Sequence, residues 1–101
     1  METYPSSAVL NINLGKCYFE LGQIEPAIAS YKIATEYQPK WAASFIMLGQ
    51  LYSSQEDPDQ AINYFKKAID LQPGDPDLLA ALGAEFLKIN KEKEAIDSYR
   101  Q

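Results

Sequence analysis

The sequence predicts an all-α fold, an α-solenoid of antiparallel helix hairpins, and three observations carry the prediction. Leu14-Gly15-x-x-Tyr18 returns as Leu48-Gly49-x-x-Tyr52 and as Leu82-Gly83-x-x-Phe86, a step of 34 residues each time. Ala27-x-x-x-Tyr31 keeps that register as Ala61-x-x-x-Phe65 and Ala95-x-x-x-Tyr99, and Pro39 returns as Pro73. Apolar residues recur at three- and four-residue steps, as one buried helical face requires. A fixed period with small, aromatic and proline residues at matched slots marks stacked helical hairpins. The small residues stand where helices touch, the aromatics fill the gaps, and proline ends each unit.

Each unit is expected to be two helices. The first helix of unit one reads from about Ala8 to Leu21, with Val9, Leu10, Leu14, Cys17, Tyr18 and Leu21 as its buried face. Ser6 or Ser7 is placed to cap its start by accepting orphan backbone N–H groups. Gly22 ends it, because glycine tolerates the left-handed conformation. The second helix reads from about Glu25 to Tyr37 and stops before Pro39. Unit two repeats this as Ala42 to Ser54 and Asp59 to Leu71. Asp57 is the expected cap of that second helix, with Pro58 in its first turn. In unit three, Asp75 suits the cap and Pro76 the first position of a helix running to Lys88. Asn90 holds the slot of Gly22, and a last helix starts near Glu92.

Bulk properties narrow the function. A chain of 101 residues makes one domain, and a hydrophobic share of 47% supplies a normal core. No apolar run spans a membrane, and the opening residues do not read as a signal peptide. A net charge of −5 argues against a surface that tracks phosphates, so no nucleic acid is expected as partner. With no histidine, the commonest general base and metal ligand are missing, and the five glycines lie too far apart for a phosphate loop. No cofactor and no catalysis are therefore expected. The single cysteine, Cys17, forms no internal disulfide. It reads as a buried, inert thiol, compatible with a reducing compartment, and an intracellular, cytoplasmic place is expected.

The repeats resemble the tetratricopeptide repeat (TPR) family. Unit two carries the family's whole pattern in Phe45, Leu48, Gly49, Tyr52, Ala61, Phe65, Ala68 and Pro73. Unit one departs only at Asn11, and includes Ala34 and Pro39; unit three has Leu79, Leu82, Gly83, Phe86, Ala95 and Tyr99. The resemblance implies about three units in a right-handed superhelix. The expected divisions are residues 1–7, a tail of a preceding repeat or an N-terminal cap, then units at 8–41, 42–75 and a truncated 76–101. Pro5 occupies the proline slot one period before Pro39, so the chain reads as a piece of a longer array.

Most other features read as packing or solvation. The repeated glycines let helices approach closely, and Gly49 is expected to face Ala61. Tyr18, Tyr31, Tyr52, Phe65, Phe86 and Tyr99 read as core. Glu56, Asp57, Asp59, Asp75 and Asp77 sit at helix starts, where they meet the positive dipole end, and their spacing does not fit a calcium loop. Lys88, Lys91 and Lys93 read as a solvated helix end. Trp41 stands outside the repeated pattern, as a plug between units or a partly exposed side chain.

By the family resemblance, first helices line a concave groove. The inward slots are Val9, Ile12, Asn13, Lys16, Phe19 and Glu20 in unit one. In unit two they are Ala43, Ile46, Met47, Gln50, Ser53 and Ser54, and in unit three Asp77, Ala80, Ala81, Ala84, Leu87 and Lys88. This strip is apolar and small in its middle with mixed charge at its edge, which suits an amphipathic helix or an extended apolar peptide. The slots that clamp a terminal carboxylate in chaperone-binding members hold Ile12, Lys16, Met47, Asp77 and Ala81, which is the wrong chemistry. An asparagine ladder like that of O-linked N-acetylglucosamine transferase could start at Asn13 but breaks at Met47 and Ala81. The expectation is a protein-interaction scaffold, with self-association through exposed repeat ends as a further expected contact. The rival expectation is a structural spacer within a large enzyme or multisubunit complex.

Overall fold

The computed structural model describes residues 5–89 and 92–100. Six helices follow one another: α1 (Pro5–Glu20), α2 (Ile24–Tyr37), α3 (Ala42–Ser54), α4 (Pro58–Leu71), α5 (Pro76–Lys88) and α6 (Glu92–Arg100). They pair as three hairpins, α1 with α2, α3 with α4 and α5 with α6, and successive hairpins join through α2 on α3 and α4 on α5. Each hairpin therefore touches only its neighbours, as in a solenoid. The stack measures 41 × 28 × 19 Å.

The turns explain the helix ends. Gly22 has φ 78° and ends α1 as expected. Backbone N–H groups of Asp77 and Leu78 donate to Asp75 Oδ1 at 3.0 and 3.4 Å, capping α5. The Gln60 N–H donates to Asp57 Oδ1 at 3.3 Å and caps α4, whose first residue is Pro58. One start differs from expectation. Helix α1 begins at Pro5, so Ser6 and Ser7 lie inside it rather than just before its start. Proline belongs in a first helical turn because its missing N–H is unpaired there anyway. The Asn90 turn and Lys91 lie outside the described residues.

Inside each hairpin a glycine lies under an aromatic ring sixteen residues on. A Cβ on Gly15 would stand 2.6 Å from the Tyr31 ring, one on Gly49 2.7 Å from Phe65, and one on Gly83 2.8 Å from Tyr99. Hydrogen in place of a methyl is what brings these helices together. The Phe65 ring lies nearest to Gly49, and Ala61 is buried in the same cluster as that ring.

The core has two clusters, one at each join. Ala27, Ile28 and Tyr31 of α2 pack with Leu48 and Leu51 of α3. Ala61, Ile62, Phe65 and Ala68 of α4 pack with Leu78, Leu82 and Phe86 of α5 and with Ala42. The expected face of α1 is different. Val9, Leu10, Leu14, Cys17 and Leu21 are exposed, and only Tyr18 of that set is half-buried. Ala8 and Gly15 are buried instead, Gly15 against Tyr31 of α2, and no described helix covers the opposite stripe of α1. Cys17 is thus an accessible thiol, not a buried one. Tyr99, expected in the core, is half-exposed for the same reason at the other end.

Candidate functional site

Of the three first helices, α3 and α5 are each held by the second helices on either side, and α1 by α2. Their slots fall into two sets. The packing slots of α3 and α5 are buried, among them Leu48, Leu51, Leu78, Leu82 and Phe86. The residues expected to line the groove are not. Val9, Asn13, Lys16, Phe19, Glu20, Gln50, Asp77, Ala80 and Leu87 are exposed, and Ile12, Ile46, Met47, Ala81 and Ala84 are half-buried. Ile12 and Met47 pack against the first core cluster, and Ile46 and Ala81 against the second, so their inner sides are anchored. Apolar side chains with an anchored base and an accessible tip can receive a partner's apolar side chains with little ordering cost.

A polar foot ties α3 to α5 at the turn end of this strip. Lys88 Nζ donates to Ser53 Oγ at 2.7 Å and to Glu85 Oε2 at 2.9 Å, and Ser53 Oγ donates to the same Glu85 oxygen at 2.9 Å. Glu85 is buried, and its Oε1 has no partner among the described residues. Beside it opens a cavity of about 530 Å³ lined by Ser53, Ser54, Glu56, Pro58 and Lys88. Lys88 is exposed at the end of α5, as expected, and its ammonium also reaches these two partners. Glu85 itself is a residue that sequence reasoning missed. Its slot holds Cys17 and Leu51 in the other units, and a glutamate there gives no periodic signal.

Away from the strip, aromatics stack between α3 and α4 and lysines lie over their rings. Tyr52 and Tyr64 stack with ring centroids 5.5 Å apart, and Phe45 adjoins Tyr64 at 6.3 Å. Lys32 lies 5.6 Å over the Tyr52 ring and Lys67 lies 5.3 Å over Tyr64. A hydrogen bond with Tyr52 raises the pKa of Lys32 above its usual value, so the cation is retained. Burial raises the phenol pKa of Tyr64 and of Tyr31. Trp41 is half-buried between the first two units. Among the described residues no group of three or more His, Cys, Asp or Glu is placed to hold a metal ion. No described helix is long and apolar enough to cross a membrane.

Comparison with known proteins points the same way. A family model described as tetratricopeptide repeat matches residues 8–74. Tetratricopeptide repeat protein 8 of Mus musculus is 29% identical over 90 residues, which cover 89% of this chain and 17% of the relative. BBSome complex member BBS4 of Mus musculus is 35% identical over 94 residues, 86% of this chain and 18% of the relative. The chain thus spans less than a fifth of the length of these relatives. Among solved structures, the first TPR of Spaghetti (RPAP3), bound to the HSP90 peptide SRMEEVD, superposes with a TM-score of 0.90 at 19% identity. That match covers 99% of this chain and 79% of the solved one, and shows the fold.

Proposed function

The chain belongs to the tetratricopeptide repeat family, a protein-interaction scaffold, and from that premise we propose that α1, α3 and α5 bind a partner helix or extended apolar peptide. One observation carries the reading. The groove slots Ile12, Ile46, Met47, Ala81 and Ala84 keep accessible apolar surface, and on α3 and α5 the packing slots beside them are buried. A contiguous accessible apolar strip with a polar rim marks an interaction site. The rim here is Asn13, Lys16, Glu20, Gln50 and Asp77. The reading assigns no catalytic group to these residues and no nucleic acid to the acidic surface. An intracellular place belongs to the same reading, and the single cysteine, free and exposed, is compatible with it.

The peptide of the Spaghetti complex is not carried over as ligand. Lys16 is the lone cation among the slots Ile12, Lys16, Met47, Asp77 and Ala81, and Asp77 repels an acidic terminus. The short coverage of the relatives supports a second reading, a structural spacer whose groove is filled by other parts of a larger assembly. Pull-down from cell extract separates the two. Ile46→Asp places a charge in the middle of the strip, and Asn63→Asp places one on an exposed position of α4 as control. The groove reading expects a partner retained by wild type and the control and lost with Ile46→Asp, all three equally helical by circular dichroism. Equal capture by a folded Ile46→Asp protein overturns it.

A further inference from the structure

The cavity at the turn end of the groove is built from slots that the repeat does not use for packing. It holds about 530 Å³ and is lined by Ser53, Ser54, Glu56, Pro58 and Lys88. One period away, the slot of Ser53 holds Phe19 and Leu87, and that of Lys88 holds Ser54. Its walls are rich in acceptors. The Ser54 hydroxyl donates to the Leu51 carbonyl at 2.6 Å, and the Ser53 hydroxyl donates to Glu85 Oε2 at 2.9 Å. Both hydroxyl hydrogens are thereby used, and the two oxygens have only lone pairs left to offer. Helices α3 and α5 end at Ser54 and Lys88, so each brings the negative end of its dipole to the cavity. The positive end of α4 opens there at Pro58, but the Asp57 side chain already caps it. Glu85, bonded to both Ser53 and Lys88, is 3% exposed, and its Oε1 has no partner among the described residues. Against these acceptors stands one lining cation, Lys88. Two of its three N–H donors are taken, by Ser53 and Glu85.

We propose that this cavity receives an arginine side chain of the partner that lies in the groove. The inference rests on the groove reading, since Ser53, Ser54 and Lys88 are groove slots. Charge decides the sign of the occupant. The carboxylates of Glu56 and Glu85 outnumber the one ammonium of Lys88, in a chain of net charge −5. An anionic group would find one remaining Lys88 N–H and be repelled by both carboxylates. Shape decides between cations. A guanidinium is always charged and carries five N–H donors in a planar fork, which suits acceptors spread over two helix ends and a turn. A lysine ammonium is a compact, strongly hydrated point charge and reaches fewer of them. One acceptor-rich pocket at the end of an apolar strip also sets the direction and register in which a peptide lies.

Titration of the chain with N-acetyl-arginine amide, followed by amide shifts, tests it. This probe has no large apolar body, so it reads the cavity and not the strip. Saturable shifts are expected at Ser53, Ser54, Glu56 and Lys88, with Ile12 and Ala80 unmoved. The citrulline analogue, similar in shape but uncharged, should bind several-fold more weakly. Two variants fix the sign. Glu56→Gln, at an exposed position, should weaken the arginine probe several-fold. Lys88→Gln removes the competing cation and should strengthen it several-fold. Glu56→Gln carries the test if Lys88→Gln, which leaves the buried Glu85 without its cation, does not fold. A wild type in which the arginine probe shifts none of the four residues overturns the proposal. So does citrulline binding as tightly as arginine, or acetate shifting these residues in place of arginine, which would make the cavity an anion site. None of these outcomes involves Ile46→Asp, so the groove reading and this one fail separately.

Discussion

Glu56 adopts φ 57°, the left-handed region, at the turn between α3 and α4. One period earlier the same slot holds Gly22 at φ 78°. A side chain in that region costs about 1–2 kcal/mol. Glu56→Gly removes that strain and returns part of it as added freedom in the unfolded chain. Net stabilisation of about 0.5–1 kcal/mol is expected, read as a higher denaturant midpoint with unchanged slope. A lower midpoint would mean that the Glu56 side chain stabilises the turn beside its cavity. The slot was legible in the repeat, but not that a glutamate there would be held in the glycine conformation.

Tyr31 poses a second question at this scale. Its ring lies over Gly15, yet its hydroxyl is buried without a partner among the described residues. Phe65 fills the same slot one period on. Tyr31→Phe should therefore keep the packing and stabilise by up to about 1 kcal/mol. Burial raises the folded-state pKa of this phenol above 10.0. The unfolded chain then ionises first. The preference for the neutral phenol is fully present below pH 10.0 and is lost as pH rises through the folded value. Wild type should lose stability relative to Tyr31→Phe as pH climbs beyond 10.0, with a constant difference below it. Parallel melting curves at all pH values would show that the hydroxyl is in contact with water.

At the scale of elements, the sequence located every described helix to within a few residues, because periodicity, Asp caps and prolines agree with one another. The start of α1 was the largest departure. A proline opening a helix and a proline closing a unit look alike in sequence, and the periodicity alone does not place the start of α1 at Pro5. What the periodicity could not give was which stripe of α1 is covered. Leu10, Leu14 and Leu21 have the spacing of core residues, and their burial depends on a neighbouring helix rather than on α1.

The join of α3 to α5 yields a prediction of its own. Glu85 buries a carboxylate where unit two has Leu51, and one of its oxygens is unpartnered. Replacing a buried ionic group by an apolar one of similar volume is often neutral or stabilising. Glu85→Leu should be at least as stable as wild type to urea. Lys88→Ala, which leaves the buried carboxylate without its cation, should be the less stable of the two. A Glu85→Leu protein that melts well below Lys88→Ala would show that the polar foot, rather than apolar packing, holds that join.

For the molecule as a whole, the repeat register fixed the stack and split the first helices into buried and accessible slots. The two sets were legible because the packing slots recur with the period, while the groove slots vary from unit to unit. On the proposed reading, the partner's chemistry is set by the variable slots: apolar Ile12, Ile46 and Met47, small Ala80, Ala81 and Ala84, and one carboxylate at Asp77. Side-chain pairs across helices, such as Ser53 with Glu85 and Lys88, carry no signature at a fixed spacing and came only from the three-dimensional arrangement. The central claim is that this concave strip is where the chain binds protein. Its most direct test is selection from a random peptide library on the immobilised chain, followed by amide-shift mapping of the selected peptides. The account predicts helical or extended apolar peptides that shift Ile12, Ile46, Met47, Ala80, Ala81 and Ala84 and that fail to bind the folded Ile46→Asp protein. Peptides that shift α2 and α4 instead, and bind Ile46→Asp as well as wild type, would contradict it.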